Sequence, residues 1–171
     1  MRNYLVTFII MIFTLFHCAS ERLKIHKENG EKMKLAVLHF GGKGINRDLK
    51  YLAADYLTSR MYSVKKMPVV DRSQVNAAAR LLEIVNPYFL SRRELCLLAD
   101  SLQADLMVLG NVIYNPDRNQ QEQTGGWMGI TLRFLDGQSG EVRFIIYRNV
   151  HTKNSSYNQI IQLLDDMISA L

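Results

Sequence analysis

Along residues 34–171 the apolar residues occur either in short runs, as in strands, or three to four positions apart, as in amphipathic helices. Residues 34–40, KLAVLHF, are almost all apolar, which is typical of a strand covered on both faces. Residues 45–61 then place apolar side chains three or four positions apart, which predicts an amphipathic helix. Residues 67–71, MPVVD, predict a second short strand, in which Pro68 is tolerated near the start.

The middle of the chain predicts two further helices and a third strand. Asp71 or Ser73 can cap the first of these helices. The second opens with Ser91 and Glu94, which have the spacing of a capping box. Residues 105–114 are apolar enough for a strand at the centre of a sheet.

The last third of the chain predicts a hairpin and a final helix. Residues 128–134 alternate apolar and polar positions, and residues 142–150 return as the partner strand after the turn DGQSG. Residues 157–171 carry a strong apolar stripe at helical spacing, which favours packing on the sheet over exposure as an oligomer contact. The predicted fold class is therefore α/β: a mixed sheet of about five strands in the order β-α-β-α-α-β-β-β-α, with helices packed on the sheet.

Composition agrees with one small domain. Of the 171 residues, 48% are hydrophobic and 22% are charged, which is ordinary for a globular protein. The formal net charge is +5, and the lysines and arginines are spread along the chain. We therefore predict no nucleic-acid partner.

The first eighteen residues change the picture, because they predict a compartment. Residues 4–16 carry no charge, yet thirteen residues are fewer than the roughly 20 that span a bilayer. They fit the apolar region of a signal peptide, and the sequence LFHC that follows resembles a bacterial lipobox, with Leu15 three residues before Cys18. The departure is His17, where the motif normally has Gly, Ala or Ser.

This leader predicts three segments. Residues 1–17 form a lipoprotein signal peptide, residues 18–33 form a flexible tether that begins with Cys18 lipidated by acyl chains such as palmitate, and residues 34–171 form a single periplasmic α/β domain. Two or three acyl chains on Cys18 would anchor the protein stably in a membrane. The alternatives are a secretory signal cleaved elsewhere and an anchor that is not cleaved.

No set of residues predicts catalysis, a cofactor or a metal ion. With Cys18 committed to lipid, Cys96 has no partner for a disulfide, and its apolar neighbours favour a buried inert thiol over a reactive one. His39 is expected to be a satisfied core or edge residue. The glycines at positions 41, 42 and 44 follow a strand and precede a helix, as in phosphate-binding loops, but they match neither glycine-rich motif, which favours a plain connection.

Trp127 is the one candidate interaction residue. It ends the polar stretch PDRNQQEQTGG, which has the character of a loop displayed to solvent. A Trp in this position is either an anchor for a partner or a plug at the end of a sheet.

Three motifs carry a resemblance to a known family. The segments KLAVLHF, MPVVDRSQV and LADSLQADLMVLGNV resemble periplasmic α/β domains found in curli-secretion (CsgG-type) lipoproteins, lipoprotein activators of penicillin-binding proteins, flagellum-associated outer-membrane lipoproteins and the amino-terminal domain of TolB. Residues 130–142 are similar to the family's hairpin as well. In this resemblance we expect Asp71 and Arg72 to fix the turn from strand to helix.

The resemblance implies a non-enzymatic protein, lipid-anchored on the periplasmic face of the outer membrane, which docks on or helps to assemble a machine for secretion, cell-wall synthesis or motility. Inner-membrane anchoring or secretion is the alternative location. The alternative functions are an oligomeric subunit of a curli-type channel, for which the chain looks short, and a small-ligand or nucleotide-binding domain at Gly41–Gly44.

Overall fold

The computed structural model describes residues 30–84, 87–117, 125–153 and 155–171. The predicted signal peptide, Cys18 and most of the tether lie outside these residues. The described elements are β1 (Leu35–Val37), β2 (Gly41–Lys43), α1 (Arg47–Ser63), α2 (Arg72–Leu81), a 3₁₀ turn (Pro87–Phe89), α3 (Arg92–Leu102), β3 (Leu106–Pro116), β4 (Gly126–Asp136), β5 (Val142–Thr152) and α4 (Tyr157–Ser169).

The three long strands β3, β4 and β5 form an antiparallel meander, and each has eleven residues. On the other side of β3, both β1 and β2 pair with it in parallel, so the sheet has five strands with β5 at one edge. The predicted α/β class with a mixed five-stranded sheet and packed helices is confirmed.

The first predicted strand is interrupted, and the glycine-rich segment after it is not a plain connection. Leu35 pairs with Leu106 and Gly41 pairs with Asn111, so one extra residue is accommodated between β1 and β2 as a bulge. Phe40 lies in the bulge and packs over Gly110, where a Cβ atom would come within 2.2 Å of its ring. Gly41 and Gly42 therefore belong to β2, which continues the edge of the sheet after the bulge.

The second predicted strand, residues 67–71, is wrong as a strand. Its pairing is a single parallel bridge between Leu35 and Val69, with hydrogen bonds from Leu35 N to Pro68 O (2.9 Å) and from Val70 N to Leu35 O (2.8 Å). Pro68 has no N–H, so the segment cannot extend the ladder in the other direction.

Helices cover both faces of the sheet. Helices α1 and α4 pack on one face, over a core that includes Leu57, Ile130 and Phe134. Helices α2 and α3 cover a smaller core on the other face, around Met107 and Leu109. Of the described helices, none covers the part of β4 and β5 around Trp127 and Tyr147 on the second face.

The helix ends follow the capping residues that the sequence predicts. Asp71 caps α2 through a hydrogen bond from Ser73 N (2.7 Å), and Ser91 and Glu94 form a complete capping box at α3. The stripe of the last helix is buried on the sheet, as predicted, at Ile160, Leu163, Leu164, Met167 and Ile168.

Candidate functional site

Arg72 joins three parts of the fold at the start of α2. Its Nε donates to Asp55 Oδ1 on α1 (2.8 Å), its Nη1 to the carbonyl oxygen of Val37 (2.9 Å), and its Nη2 to Nδ1 of His39 (2.8 Å). Asp71 caps the helix immediately before it. The expectation that Asp71 and Arg72 fix this turn is confirmed by these contacts.

His39 lies in the bulge between β1 and β2. Burial lowers the pKa of its imidazole below 6.5, and the Arg72 guanidinium lowers that pKa further, against the opposing effects of Asn76 and Asp55. Its ring packs edge-on against Tyr51, with 4.5 Å between the centroids. His39 is therefore a satisfied, neutral residue at the edge of the sheet, as the sequence indicates.

A cleft of about 600 Å³ opens beside His39. It lies between the first turns of α1 and the second half of α2, at the bulged edge of the sheet. We call it the basic cleft. Its lining residues are His39, Phe40, Arg47, Lys50, Tyr51, Asn76, Ala79, Arg80 and Ile84.

The charged side chains of the basic cleft are all positive. Arg47 donates from Nε (3.0 Å) and Nη2 (2.7 Å) to the Tyr51 hydroxyl, and Lys50 donates from Nζ to the carbonyl oxygen of Gly42 (2.7 Å). Arg80 is exposed, and its side chain makes no hydrogen bond or ion pair within the described residues. The cleft therefore presents three cations without a carboxylate among its lining residues.

A second cleft of about 430 Å³ adjoins the basic cleft and shares Phe40 and Lys50 with it. Its outer wall is apolar, because Phe89 is 77% exposed and Ile113 is 37% exposed there. Gly42 also lines it, but a Cβ atom at Gly42 would lie 1.8 Å from the carbonyl oxygen of Val112. This glycine is required for the close pairing of β2 with β3.

The part of β4 and β5 without a helix on it forms an exposed surface, which we call the open sheet face. Trp127 on β4 is 52% exposed and lies opposite His151 on β5, with the two rings edge-on at 5.3 Å between centroids. Ile145 and Tyr147 on β5 are each 55% exposed and lie on the same face of the strand. Among the described strands β5 lies at the edge of the sheet, so this surface adjoins a backbone edge that no described strand pairs with.

The predicted end of the return strand is wrong, and so is one interpretation of Trp127. His151 lies one residue beyond the predicted strand 142–150, yet it is part of β5 and pairs through Nε2 with Asp117 Oδ2 (2.7 Å). Trp127 does not plug the sheet, because its side chain lies half-exposed on the open sheet face. Its role as an anchor for a partner stays a prediction.

Cys96 is only partly buried, so the prediction of a buried thiol is wrong. Leu95 before it is buried, and Leu97 after it is 47% exposed, so Cys96 lies at the boundary of the apolar stripe of α3. Its Sγ donates to the carbonyl oxygen of Gln138 at 3.2 Å in the turn between β4 and β5.

Sequence reasoning missed the basic cleft and most of the open sheet face. Arg47, Lys50 and Arg80 lie on the polar sides of two amphipathic helices, where any charged residue looks like an ordinary solvated one. They come together only because both helices reach the same edge of the sheet. For Ile145 and Tyr147 the sequence does hold a clue. Residues 142–150 place apolar side chains on both faces of the predicted strand, so the face that is not buried exposes some of them.

Two further observations concern the described part of the chain. Within it, no group of three or more His, Cys, Asp or Glu side chains is arranged to hold a metal ion. Helices of sufficient length and apolar content to cross a membrane are likewise not found among these residues.

Comparison with known proteins shows similarity in structure alone. No family model and no curated protein sequence matches the chain. The lipoprotein GNA1162 from Neisseria meningitidis is 11% identical and has a TM-score of 0.57, over 80% of this chain and 96% of that one. The PelC dodecamer from Paraburkholderia phytofirmans is 15% identical and has a TM-score of 0.54, over 81% and 87%. The C-terminal domain of LpoB from Salmonella enterica is 15% identical, with a TM-score of 0.49 over 69% and 82%.

The chain therefore has the same fold as GNA1162 and PelC. Because the identities are so low, the similarity defines an architecture and leaves the role of the chain open. The fold that the sequence resemblance implied is confirmed, whereas the narrower resemblances to CsgG and to the TolB domain stay predictions.

Proposed function

We propose that this chain is a non-enzymatic protein of the bacterial cell envelope, anchored by lipid on Cys18, whose domain docks on a protein partner. The observation that carries the proposal is the open sheet face. Trp127, Tyr147 and Ile145 expose large apolar side chains on a rigid sheet beside a free strand edge. Aromatic residues of this kind supply much of the binding energy at protein interfaces.

The partner we infer is a protein that adds an extended segment to β5. An edge strand of eleven residues offers a row of backbone donors and acceptors, and pairing with it gives affinity without depending on side chains. The side chains of the open sheet face would then provide specificity. Cell-wall synthesis, secretion and motility machines of the envelope are the candidate assemblies, as the sequence resemblance implies.

The location in this proposal rests on the leader. The LFHC sequence at residues 15–18 supports lipidation of Cys18, and GNA1162, which shares the fold, is named a lipoprotein. We infer an outer-membrane anchor with the domain on the periplasmic side. Labelling cells with a clickable fatty acid tests it: the wild type should be labelled and the Cys18→Ser variant should not, and equal labelling would refute the anchor.

Crosslinking in intact cells followed by mass spectrometry tests the docking surface. We expect the wild type to yield a reproducible envelope protein, and the Tyr147→Ala variant to lose it. Tyr62→Ala is the matched control, because Tyr62 is 64% exposed near the end of α1, away from this face. Equal recovery from both variants would contradict docking through the open sheet face.

A homo-oligomer is the second candidate. PelC is a dodecamer and has the same fold, and the free β5 edge offers a contact to another copy. Light scattering on the purified chain distinguishes the two candidates. A defined oligomer that Tyr147→Ala dissociates favours self-assembly, whereas a monomer favours a different partner.

A further inference from the structure

We propose that the basic cleft binds a small phosphate ester. In this arrangement Arg47, Lys50 and Arg80 hold the phosphoryl group, while its organic group lies against the apolar part of the lining. The proposal does not depend on the open sheet face, which lies on β4 and β5, towards the opposite edge of the sheet.

The first argument is an excess of hydrogen-bond donors. An arginine carries five N–H donors and a lysine three. Arg47 uses Nε and Nη2 on Tyr51, Lys50 uses one bond on Gly42, and Arg80 uses none within the described residues. The remaining donors around one cleft are available to a ligand that brings several acceptors.

The second argument is the absence of a carboxylate partner within one cleft. Elsewhere in the described chain Arg60, Arg72, Arg92 and Arg143 each form an ion pair with a carboxylate, whereas Arg93, Arg133 and Arg148 do not. The basic cleft gathers three cations that form no ion pair within the described residues. Like charges held within one cleft repel one another, and a bound anion removes that cost.

The geometry favours a phosphoryl group over a carboxylate. A carboxylate has two oxygens and is satisfied by one arginine, whereas a phosphate monoester offers three strongly accepting oxygens. The cations come from two helices, Arg47 and Lys50 from α1 and Arg80 from α2, so the ligand must accept hydrogen bonds from separate directions.

The remaining lining fits an organic group. Phe40, Ala79 and Ile84 provide apolar surface in the same cleft. Asn76 lies beside them as a neutral polar residue of the lining.

Calorimetric titration of the purified full-length chain with phenyl phosphate, benzoate and inorganic phosphate tests the proposal. Phenyl phosphate should bind more tightly than inorganic phosphate, which lacks the ring, and more tightly than benzoate, which lacks the phosphoryl group. Arg80→Gln should weaken phenyl phosphate at least about tenfold, since a bond to a charged group is lost. Arg80 has no contact to lose, so the variant should melt like the wild type.

Arg93→Gln is the matched control, because Arg93 is also exposed on a helix but lies outside the cleft. It should leave the affinity unchanged. Phosphatidylglycerol vesicles should compete with phenyl phosphate if the natural phosphoryl group belongs to a lipid headgroup, and should not if it belongs to a soluble ester. The proposal is overturned if benzoate binds as tightly as phenyl phosphate, or if Arg80→Gln and Arg93→Gln behave alike.

Discussion

Arg72 donates a hydrogen bond from Nη2 to Nδ1 of His39 across 2.8 Å, from the start of α2 to the bulge between β1 and β2. Because an arginine cannot accept a hydrogen bond, Nδ1 of His39 must be unprotonated and its proton must lie on Nε2. Protonating the ring would place a second positive charge against the guanidinium in a half-buried site. The contact therefore makes the fold sensitive to the charge of one histidine.

We expect the free energy of unfolding to fall as the solution is acidified below about pH 6.5. His39 has a lowered pKa in the folded state, so the unfolded chain binds a proton at a higher pH than the folded one does. The stability contributed by neutral His39 is complete above 6.5 and is lost as the pH falls from 6.5 to the folded pKa. Urea unfolding at a series of pH values measures this loss.

The His39→Asn variant keeps an acceptor near Nδ1 and cannot titrate, so its stability should stay level over the same pH range. Asp71, Glu94 and Asp136 also have lowered pKa values, but the variant keeps all three, so their contribution is the same in both proteins. The same slope in the wild type and the variant would show that His39 is not the group responsible.

Arg72→Lys should destabilise the domain by about 1–3 kcal/mol, the cost of leaving a buried hydrogen-bond acceptor, the carbonyl oxygen of Val37, unsatisfied. A lysine cannot reach Asp55, Val37 and His39 together, because it presents one point charge in place of a planar fork. Chemical denaturation measures the effect. Arg93→Lys, on an exposed position of α3, should change stability little, and a similar loss in both would contradict the joining role of Arg72.

The sequence predicted the elements whose signals are local. Residues only a few positions apart are enough to recognise the α3 capping box at Ser91 and Glu94, the hairpin and the apolar stripe of α4. The bulge at Phe40 was not predictable, because it depends on Gly110, seventy positions further along the chain, leaving room for the ring. The prediction of a strand at residues 67–71 is wrong for a related reason. Strand propensity is local, and it does not show that the pairing of this segment is limited to one bridge with Leu35.

The site was less predictable than the fold. Trp127 was identified as a candidate because its residue type is rare in this chain, but its place on an exposed face follows from how far α2 and α3 extend over the sheet. The basic cleft has no sequence motif at all. Its cations come from positions 47, 50 and 80, and only tertiary packing makes them neighbours.

Gly42→Ala should destabilise the domain strongly and detach β2 from β3. The glycine has φ of +140°, and an added Cβ would lie 1.8 Å from the carbonyl oxygen of Val112, which is backbone and cannot move aside. Thermal unfolding measures the loss. Gly129→Ala is the control, because its Cβ would meet only the hydroxyl end of Tyr147, at 3.0 Å, and that side chain can rotate. Equal melting temperatures for the two variants would show that β2 pairing is unimportant.

Phe134→Ala should cost about 3–5 kcal/mol of stability, the range for removing a large buried aromatic side chain. Phe134 is fully buried on β4 beneath α1 and α4, so its truncation leaves a cavity in the larger core. Phe89→Ala, at a position that is 77% exposed, should cost far less. Urea denaturation of both variants measures the difference, and comparable losses would contradict the placement of the larger core.

Trp127 should be readily quenched by acrylamide in the native state, because its side chain is 52% exposed on the open sheet face. It is the single Trp of the chain, so its fluorescence reports on this surface alone. We expect a quenching constant below that of the urea-unfolded chain but well above that of a buried Trp, and a lower constant when a partner covers the face. Strong protection of Trp127 in the isolated monomer would contradict its exposed position. A fall in quenching with rising protein concentration would indicate that a second copy covers the surface.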